Sequence, residues 1–263
     1  MPLRALIWDV DGTLAETERD GHLIAFNAAF EALGMAWRWS EARYAELLAV
    51  TGGFERLMAD MESQPQAPAS RDERERLARR LHVLKNDAYA RIVGEGRIAL
   101  RDGVLALMDD CAASHVAMAI ATTTSRSNVE ALLGARLGET WRERFACVLC
   151  GEDAPRKKPD PQVYQRVLAA LGLAAGEALA IEDAPAGVSA ARAAGLAVIV
   201  TRSHCFANAD LCAAQAVGPG LHRTAGWSPA PPHAAENGRI GLATLQAWAP
   251  ALRGIEFRGT IEG

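Results

Sequence analysis

Short apolar runs recur along the chain and predict buried β-strands over residues 5–8, 116–121, 147–150, 178–181 and 196–200. Between the later runs, apolar residues recur at helical spacing and predict helices over residues 104–113, 128–137, 161–171 and 188–194. Strands that alternate with helices in this way form a parallel sheet that is covered by helices on both faces. The pattern therefore predicts an α/β core.

Residues 17–94 lack such runs and follow a helical pattern instead, with Gly34 ending the first helix and Ser40 capping the second. The predicted helices cover residues 24–33, 40–50, 55–61 and 71–92. We interpret the dense charge of the last helix as a solvated face. We expect residues 17–94 to form a helical cap domain over the carboxyl edge of the sheet, and residues 1–16 and 95–263 to form the core.

The last part of the chain has a less regular pattern. Residues 217–232 contain several Gly and Pro residues and predict a long loop. A final helix is predicted over residues 243–248.

Composition narrows the classes of function. The chain has 263 residues, half of them hydrophobic, and a formal net charge of −4. The absence of a basic excess disfavours nucleic acid and anionic membranes as partners. No stretch approaches the roughly 18 apolar residues of a membrane span, and Asp9 and Asp11 interrupt the early apolar run that a secretion signal would need. We expect a soluble cytoplasmic protein that is a monomer or a weak homodimer.

Candidate chemistry begins where the first predicted strand ends. Asp9 and Asp11 follow that strand, Gly12 allows the chain to turn, and Thr13 can form hydrogen bonds. Carboxylates at the carboxyl end of a parallel strand can bind Mg²⁺ or attack an electrophile. The alternative is an acidic turn without catalytic function, and the spacing alone does not separate the two interpretations.

Three further predicted strand ends carry residues that suit the same site. Thr122 and Thr123 can cradle a phosphate, although such pairs also serve as ordinary helix caps. Lys158 precedes a proline turn and can offset the charge of a phosphoryl group, although most Lys-Pro turns are structural. Glu182 and Asp183 follow an apolar strand and suit a Mg²⁺ site.

The order of these motifs carries more information than any one of them. Asp9-Val-Asp-Gly-Thr13, Ala121-Thr122, Lys158-Pro-Asp-Pro161 and Glu182-Asp183 resemble, in sequence order, the four motifs of the haloacid dehalogenase superfamily of hydrolases. The resemblance implies a Rossmann-like parallel sheet core with an inserted α-helical cap domain. It also implies a Mg²⁺-dependent phosphatase.

The resemblance further implies a role for each motif residue. Asp9 would be the nucleophile that forms an aspartyl-phosphate, and Asp11 the general acid and base. Thr122 would bind the phosphoryl oxygens, and Lys158 would be the superfamily lysine. The implied Mg²⁺ ligands are Asp9, Asp11 through its backbone carbonyl, Glu182 and Asp183.

Within this superfamily, the chain resembles the CbbY-like proteins of the β-phosphoglucomutase and phosphoglycolate phosphatase group. The residues that carry this resemblance include Ala15-Glu-Thr-Glu18, His22, Thr51-Gly-Gly53 and Glu55-Arg56. It implies hydrolysis of a small phosphorylated sugar, notably xylulose-1,5-bisphosphate. The implied substrate-binding residues are Gly12, Thr123, Glu18, His22, Gly52, Gly53 and Arg56.

Some cap residues keep a second interpretation. Arg56 can clasp a distal phosphate or be a solvated helix arginine. His22 can contact the substrate or be a buried histidine between the domains. Phe54 stands where related proteins often carry a lysine, and the loss of that cation weakens the case for a bisphosphate.

Other functions use the same motifs. A phosphomutase of the β-phosphoglucomutase type would share Asp9 and Asp11, and a phosphoglycolate-type phosphatase would differ only in its substrate. A non-catalytic sugar-phosphate-binding protein is disfavoured because every motif residue is present.

Overall fold

A six-stranded parallel sheet forms the centre of the computed structural model, which describes residues 2–232 and 238–253. The strands are β1 (Ala5–Trp8), β2 (Ala117–Ala121), β3 (Cys147–Leu149), β4 (Ala178–Glu182), β5 (Ala197–Thr201) and β6 (Ala216–Gly218). Their order across the sheet is β3-β2-β1-β4-β5-β6, and each neighbouring pair is parallel. The predicted α/β fold class is confirmed.

Helices cover both faces of this sheet. The helices of the described residues are α1 (Ile24–Ala32), α2 (Glu41–Leu47), α3 (Gly53–Met61), α4 (Arg71–Gly94), α5 (Val104–Ala113), α6 (Arg126–Leu137), α7 (Gln162–Leu171), α8 (Pro185–Ala193) and α9 (Leu242–Arg253), of which α5 to α9 cover the sheet. Leu6 and Trp8 of β1 pack on the face that carries α5, α6 and α9, and Ala5 and Ile7 pack on the face that carries α7 and α8. Because side chains alternate along a strand, one apolar run supplies both halves of the core.

Helices α1 to α4 lie between β1 and β2 in the chain and share an apolar cluster of their own, centred on Phe26, Phe30 and Trp39. Ser40 caps α2, as predicted, by accepting a hydrogen bond from the backbone N–H of Arg43. The assignment of residues 17–94 as a separate cap domain stays a prediction, which this separate cluster supports.

The two chain segments that lead into and out of this helical block pair with each other. Ala15 and Leu100 form an antiparallel bridge, and the backbone N–H of Arg101 donates to the carbonyl of Leu14 at 2.8 Å. A six-residue π-helix, Glu18–Leu23, then leads into α1. The paired segments fix where the helical block leaves the sheet.

Residues 216–232 and 238–253 contain more regular structure than the sequence suggests. The predicted loop begins inside β6, and Val217 of that strand pairs with Ser228. The two apolar residues of this strand, Ala216 and Val217, lie between Gln215 and Gly218 and form too short an apolar run for recognition. The final helix is also longer than predicted and continues through Pro250 to Arg253. No helix among the described residues is long and apolar enough to cross a membrane.

Gly103→Ala tests how the segment around Leu221 packs on the core. Gly103 has φ +88°, and a Cβ added there would lie 2.7 Å from the backbone carbonyl carbon of Leu221. We expect the substitution to lower the free energy of unfolding by about 1–3 kcal/mol, measured by thermal melting. Gly94→Ala is the control, since a Cβ there meets no atom within 4 Å, and it should change stability by less than about 1 kcal/mol. Equal melting temperatures for the two variants would contradict this account.

Candidate active site

The register of the central strands brings the predicted motif residues to one edge of the sheet. Trp8 of β1 is level with Ile120 of β2 and Ile181 of β4. The residues that follow these positions therefore meet at the carboxyl edge, where ligands bind in open α/β sheets. The motif residues gathered there, all buried, are Asp9, Thr122, Lys158, Glu182 and Asp183.

Lys158 joins two of the carboxylates. Its Nζ lies 2.7 Å from Oδ1 of Asp9 and 2.6 Å from Oε1 of Glu182, and the hydroxyl of Tyr164 on α7 also donates to Glu182. Burial opposes the charged ammonium, but the carboxylates of Asp9 and Glu182 raise the pKa of Lys158 above its ordinary value. The lysine therefore stays protonated and can donate to an oxygen of a phosphoryl group.

A third buried carboxylate, that of Asp183, lies beside the two that contact Lys158. Carboxylate oxygens of Asp9, Glu182 and Asp183 lie within 4.8 Å of one another. Burial raises the pKa of Asp9 and of Asp183 well above the ordinary range, and the neighbouring carboxylates add to the effect. Among the described residues, the buried Oδ2 of Asp183 has no hydrogen-bond partner. This oxygen-only set, with one unsatisfied atom and excess negative charge, fits a Mg²⁺ ion.

Asp11 has a different environment from Asp9. Its Oδ1 accepts a hydrogen bond from Oγ1 of Thr17 at 2.6 Å and lies 2.9 Å from Nε2 of His22, whose ring stacks on Tyr89. Burial opposes ionisation, but the contacts with His22 and Thr17 lower the pKa of Asp11 below its ordinary range. Because its partners are Thr17 and His22, the side chain of Asp11 faces the helical block and is not part of the carboxylate cluster.

The threonines predicted to cradle phosphate lie beside this cluster. Thr122 follows β2, its backbone N–H donates to the carbonyl of Leu149, and its Oγ1 accepts a hydrogen bond from the backbone N–H of Thr124. Both Thr122 and Thr123 line the same cavity as Asp9. Lys157, the neighbour of Lys158, instead donates to the backbone carbonyl of Gly151.

A cavity of about 440 Å³ opens above the carboxylates. Glu18 and Arg56 of the helical block line it, together with Thr51 and an apolar wall that includes Leu48 and Phe206. A space of this size accommodates a small phosphorylated molecule.

The other cap residues expected at the substrate lie elsewhere. Gly52 and Gly53 line a separate cavity of about 130 Å³ beside Thr123 and Lys157. His22 is buried against Asp11 and Tyr89 and does not line the cavity above the carboxylates. In the described residues the structure thus brings together the core motifs, Glu18 and Arg56, but not this glycine pair or His22.

Arg56 is buried, so its interpretation as a solvated helix arginine is wrong. Its Nη1 donates to the hydroxyl of Tyr44 at 2.8 Å and lies 3.7 Å from Glu18, and its Nε donates to the carbonyl of Leu47. The hydroxyl of Tyr44 in turn donates to Glu18. This network fixes a cation in the wall of the cavity.

Lys85 is a buried residue near the site that the sequence analysis missed. It lies on α4, with its Nζ 5.3 Å from the ring centroids of both Phe26 and Tyr89. Burial lowers the pKa of Lys85 to about 8, although the charge of Asp11 opposes the shift. The i, i+4 spacing of Leu81, Lys85 and Tyr89 places this lysine on the apolar stripe of the helix, and that signal could have identified it.

Comparisons with known proteins agree with this geometry. The model of the haloacid dehalogenase-like hydrolase family matches residues 3–195. The CbbY protein of Cupriavidus necator is 42% identical over 248 residues, covering 94% of this chain and 96% of that protein. The crystal structure of CbbY from Rhodobacter sphaeroides in complex with phosphate has a TM-score of 0.75 and 37% identity, covering 81% of this chain and 92% of that one.

A second similar structure is a mutant CbbY from Rhodobacter sphaeroides in complex with xylulose-1,5-bisphosphate. Its TM-score is 0.81 at 34% identity, and the alignment covers 93% of this chain and 99% of that one. The likeness therefore extends over the sheet, the helical block and most of the remaining chain.

Asp183→Asn is expected to raise the melting temperature of the metal-free protein at neutral pH and to abolish stabilisation by Mg²⁺. The raised pKa of Asp183 means that the folded state favours its neutral form. Its ionisation therefore disfavours folding, and the stability of the metal-free protein should fall as pH rises through that pKa. Thermal melting with and without millimolar MgCl₂ measures both effects.

Asp110→Asn is the matched control for this experiment. Asp110 lies away from the site, and its hydrogen bond from Arg239 lowers its pKa, so its charge stabilises the fold at neutral pH. This variant should melt at a lower temperature and keep the full response to Mg²⁺. A Mg²⁺ response retained by Asp183→Asn would refute the assignment of the metal site.

Proposed function

Since the chain belongs to the haloacid dehalogenase-like hydrolases and is a sugar-phosphate phosphatase of that family, we propose that it hydrolyses its substrate with Mg²⁺ and through an aspartyl-phosphate. The observation that carries this proposal is the contact of Lys158 with both Asp9 and Glu182 in the buried carboxylate cluster, beside an Asp11 with separate partners. A nucleophile and a proton donor are thus held at one strand end.

The first half of the reaction transfers the phosphoryl group to Asp9. A carboxylate oxygen of Asp9 attacks phosphorus in line with the leaving alcohol, while Lys158 and the hydroxyl of Thr122 donate to the phosphoryl oxygens. A Mg²⁺ ion held by Asp9, Glu182, Asp183 and the backbone carbonyl of Asp11 would offset the charge of the carboxylates and of the phosphoryl group.

Asp11 moves the protons in both halves of the reaction. A bound phosphate dianion raises the pKa of this neighbouring carboxyl, so that Asp11 can hold the proton that it gives to the leaving alcohol. After the alcohol has left, the ionised Asp11 takes a proton from the water that hydrolyses the aspartyl-phosphate. The hydrogen bonds from Thr17 and His22 favour the ionised form that this second step requires.

The helical block of residues 17–94 is proposed to act as a cap that selects the substrate. The carboxylates and Lys158 recognise only a phosphoryl group, whereas Glu18 and Arg56 face the rest of the cavity. Arg56 offers a guanidinium for a second phosphate, because its planar fork matches phosphate geometry. Together with the ligand of the similar CbbY structure, this favours a sugar bisphosphate such as xylulose-1,5-bisphosphate.

Phe54 does not weaken the proposed preference for a sugar bisphosphate. Phe54 packs against the apolar cluster of the helical block and lies 5.2 Å below the guanidinium of Arg79. It lines the smaller cavity and not the one above the carboxylates. The absence of a lysine at position 54 therefore does not change the charge of the cavity wall that carries Arg56.

Asp9→Asn is expected to abolish phosphate release from sugar phosphates in the presence of Mg²⁺, because an amide cannot form the acyl-phosphate. Phosphate release would be measured over a panel of sugar mono- and bisphosphates, phosphoglycolate and β-glucose 1-phosphate. Wild-type protein should also carry an acid-stable mass increase of one phosphoryl group after rapid quenching. Turnover retained by Asp9→Asn would refute the mechanism. Transfer of the phosphoryl group back to the sugar, instead of to water, would identify a phosphomutase.

Arg56→Met tests the choice of a bisphosphate. We expect KM for xylulose-1,5-bisphosphate to rise about 10-fold or more, since a charged hydrogen bond of about 1.5–3 kcal/mol is lost, while a monophosphate loses little. Arg79→Met is the control, because Arg79 is an exposed arginine that does not line the cavity. Equal effects of Arg56→Met on mono- and bisphosphates would exclude Arg56 from a distal phosphate site.

A further inference from the structure

Arg101 lies just before α5 and does not line the cavity above the carboxylates, but its guanidinium holds the backbone of the turn that follows β1. Its Nη1 donates to the carbonyls of Gly12 and Thr201 and to the hydroxyl of Thr201. Its Nη2 donates to the carbonyls of Arg202, at 2.6 Å, and of Pro219, at 3.4 Å. One side chain therefore binds three separate chain segments at the carboxyl edge of the sheet.

Arg101 also lies on one of the two segments that join the helical block to the sheet. Its backbone N–H donates to the carbonyl of Leu14 on the other segment, and its Nε lies 3.5 Å from Oε1 of Glu16. Glu16 in turn accepts hydrogen bonds from the backbone N–H of His204, in the loop after β5. The guanidinium thus connects both joining segments with the turn that carries Asp11.

The position of Gly12 explains why this connection matters for the chemistry. Gly12 has φ +80°, and a Cβ added there would lie 1.9 Å from Oδ2 of Asp183. Its carbonyl is held by Arg101 on one side, and its Cα packs against a carboxylate of the cluster on the other. A small displacement of Gly12 would therefore change the position of both Asp11, its neighbour in the chain, and Asp183.

We propose that Arg101 is a positioning residue that holds the Asp11–Gly12 turn in its reactive geometry. The inference rests on the proposed phosphatase function, in which Asp11 transfers the protons. Arg101 touches neither the cavity nor the carboxylate cluster, so it acts through the backbone of Gly12. Loss of its bonds should affect the chemical step more than substrate binding, which depends on Thr122, Lys158 and the cap.

Arginine suits this position for a geometric reason. Its two terminal nitrogens donate in fixed directions, one to Gly12 and Thr201 and the other to Arg202 and Pro219. The single nitrogen of a lysine keeps the positive charge near Glu16 but cannot reach both sets of carbonyls. Arg101→Lys therefore separates the role of charge from the role of the fork, and Arg101→Gln removes both.

The test compares kcat and KM of Arg101→Lys and Arg101→Gln with wild type in phosphate release. We expect kcat to fall about 10- to 100-fold in the lysine variant and further in the glutamine variant, with KM within about 3-fold of wild type. Arg136→Lys is the control, since Arg136 also donates to a backbone carbonyl, that of Val93, away from the turn. This control should keep the wild-type kcat. A lowered melting temperature with unchanged kcat in both Arg101 variants would show a purely structural role and overturn the proposal.

Hydrogen exchange of the turn amides gives a result that does not depend on activity. The backbone N–H groups of Gly12, Thr13 and Leu14 donate within the turn, to the carbonyls of Ala15 and Val10. These amides should exchange faster in both Arg101 variants than in wild type and Arg136→Lys. Unchanged exchange in the Arg101 variants would overturn the positioning role of Arg101, whether or not the protein releases phosphate. A wild-type protein that released no phosphate would overturn only the proposed function.

Discussion

Three carboxylates and one ammonium share a buried volume at the edge of the sheet, and the surrounding structure has to compensate for their charge. Asp9 and Glu182 both lie within 2.7 Å of Nζ of Lys158, whereas Asp183 has no such partner. Removing ionised groups from water is unfavourable unless they are paired or bind a metal. The ammonium of Lys158 and the hydroxyl of Tyr164 compensate part of this negative charge, and the oxygen-only carboxylate set fits a cation that would compensate the rest.

The same strand end holds two carboxylates whose pKa values move in opposite directions. Burial among other carboxylates raises the pKa of Asp9, whereas His22 and Thr17 lower that of Asp11. Only one residue separates them, so the difference comes from their partners: Asp9 contacts Lys158 at the sheet edge, and Asp11 contacts Thr17 and His22. A pair of acids in such different environments suits the separate roles of nucleophile and proton-transfer group in the proposed mechanism.

The sheet and the core motifs were predictable from sequence because their signals are local. An apolar run followed by Asp9, or by Glu182, needs only strand alternation and a parallel register to reach the common edge. Lys85 and Arg101 were not predictable in the same way. Lys85 lies on the apolar stripe of α4, but that signal is easily lost among the many charges of this helix. The partners of Arg101 are carbonyls up to 118 residues away, which leave no pattern in the sequence. Strand β6 was missed because Gln215 and Pro219 flank it, whereas the equally short β3 lies within the longer apolar run of residues 145–150.

The helical block contributes one cation to the cavity, the guanidinium of Arg56, and other residues of the same block hold it in place. Arg56 already has Glu18 at 3.7 Å and Tyr44 at 2.8 Å, so a phosphate that binds it must compete with a neighbouring carboxylate. A neutral or singly phosphorylated ligand would leave this ion pair undisturbed. A second phosphate, with up to two charges and several acceptor oxygens, can outcompete one carboxylate. Under the proposed function, the displacement of Glu18 is a cost that the second phosphate of a bisphosphate can offset and a monophosphate cannot.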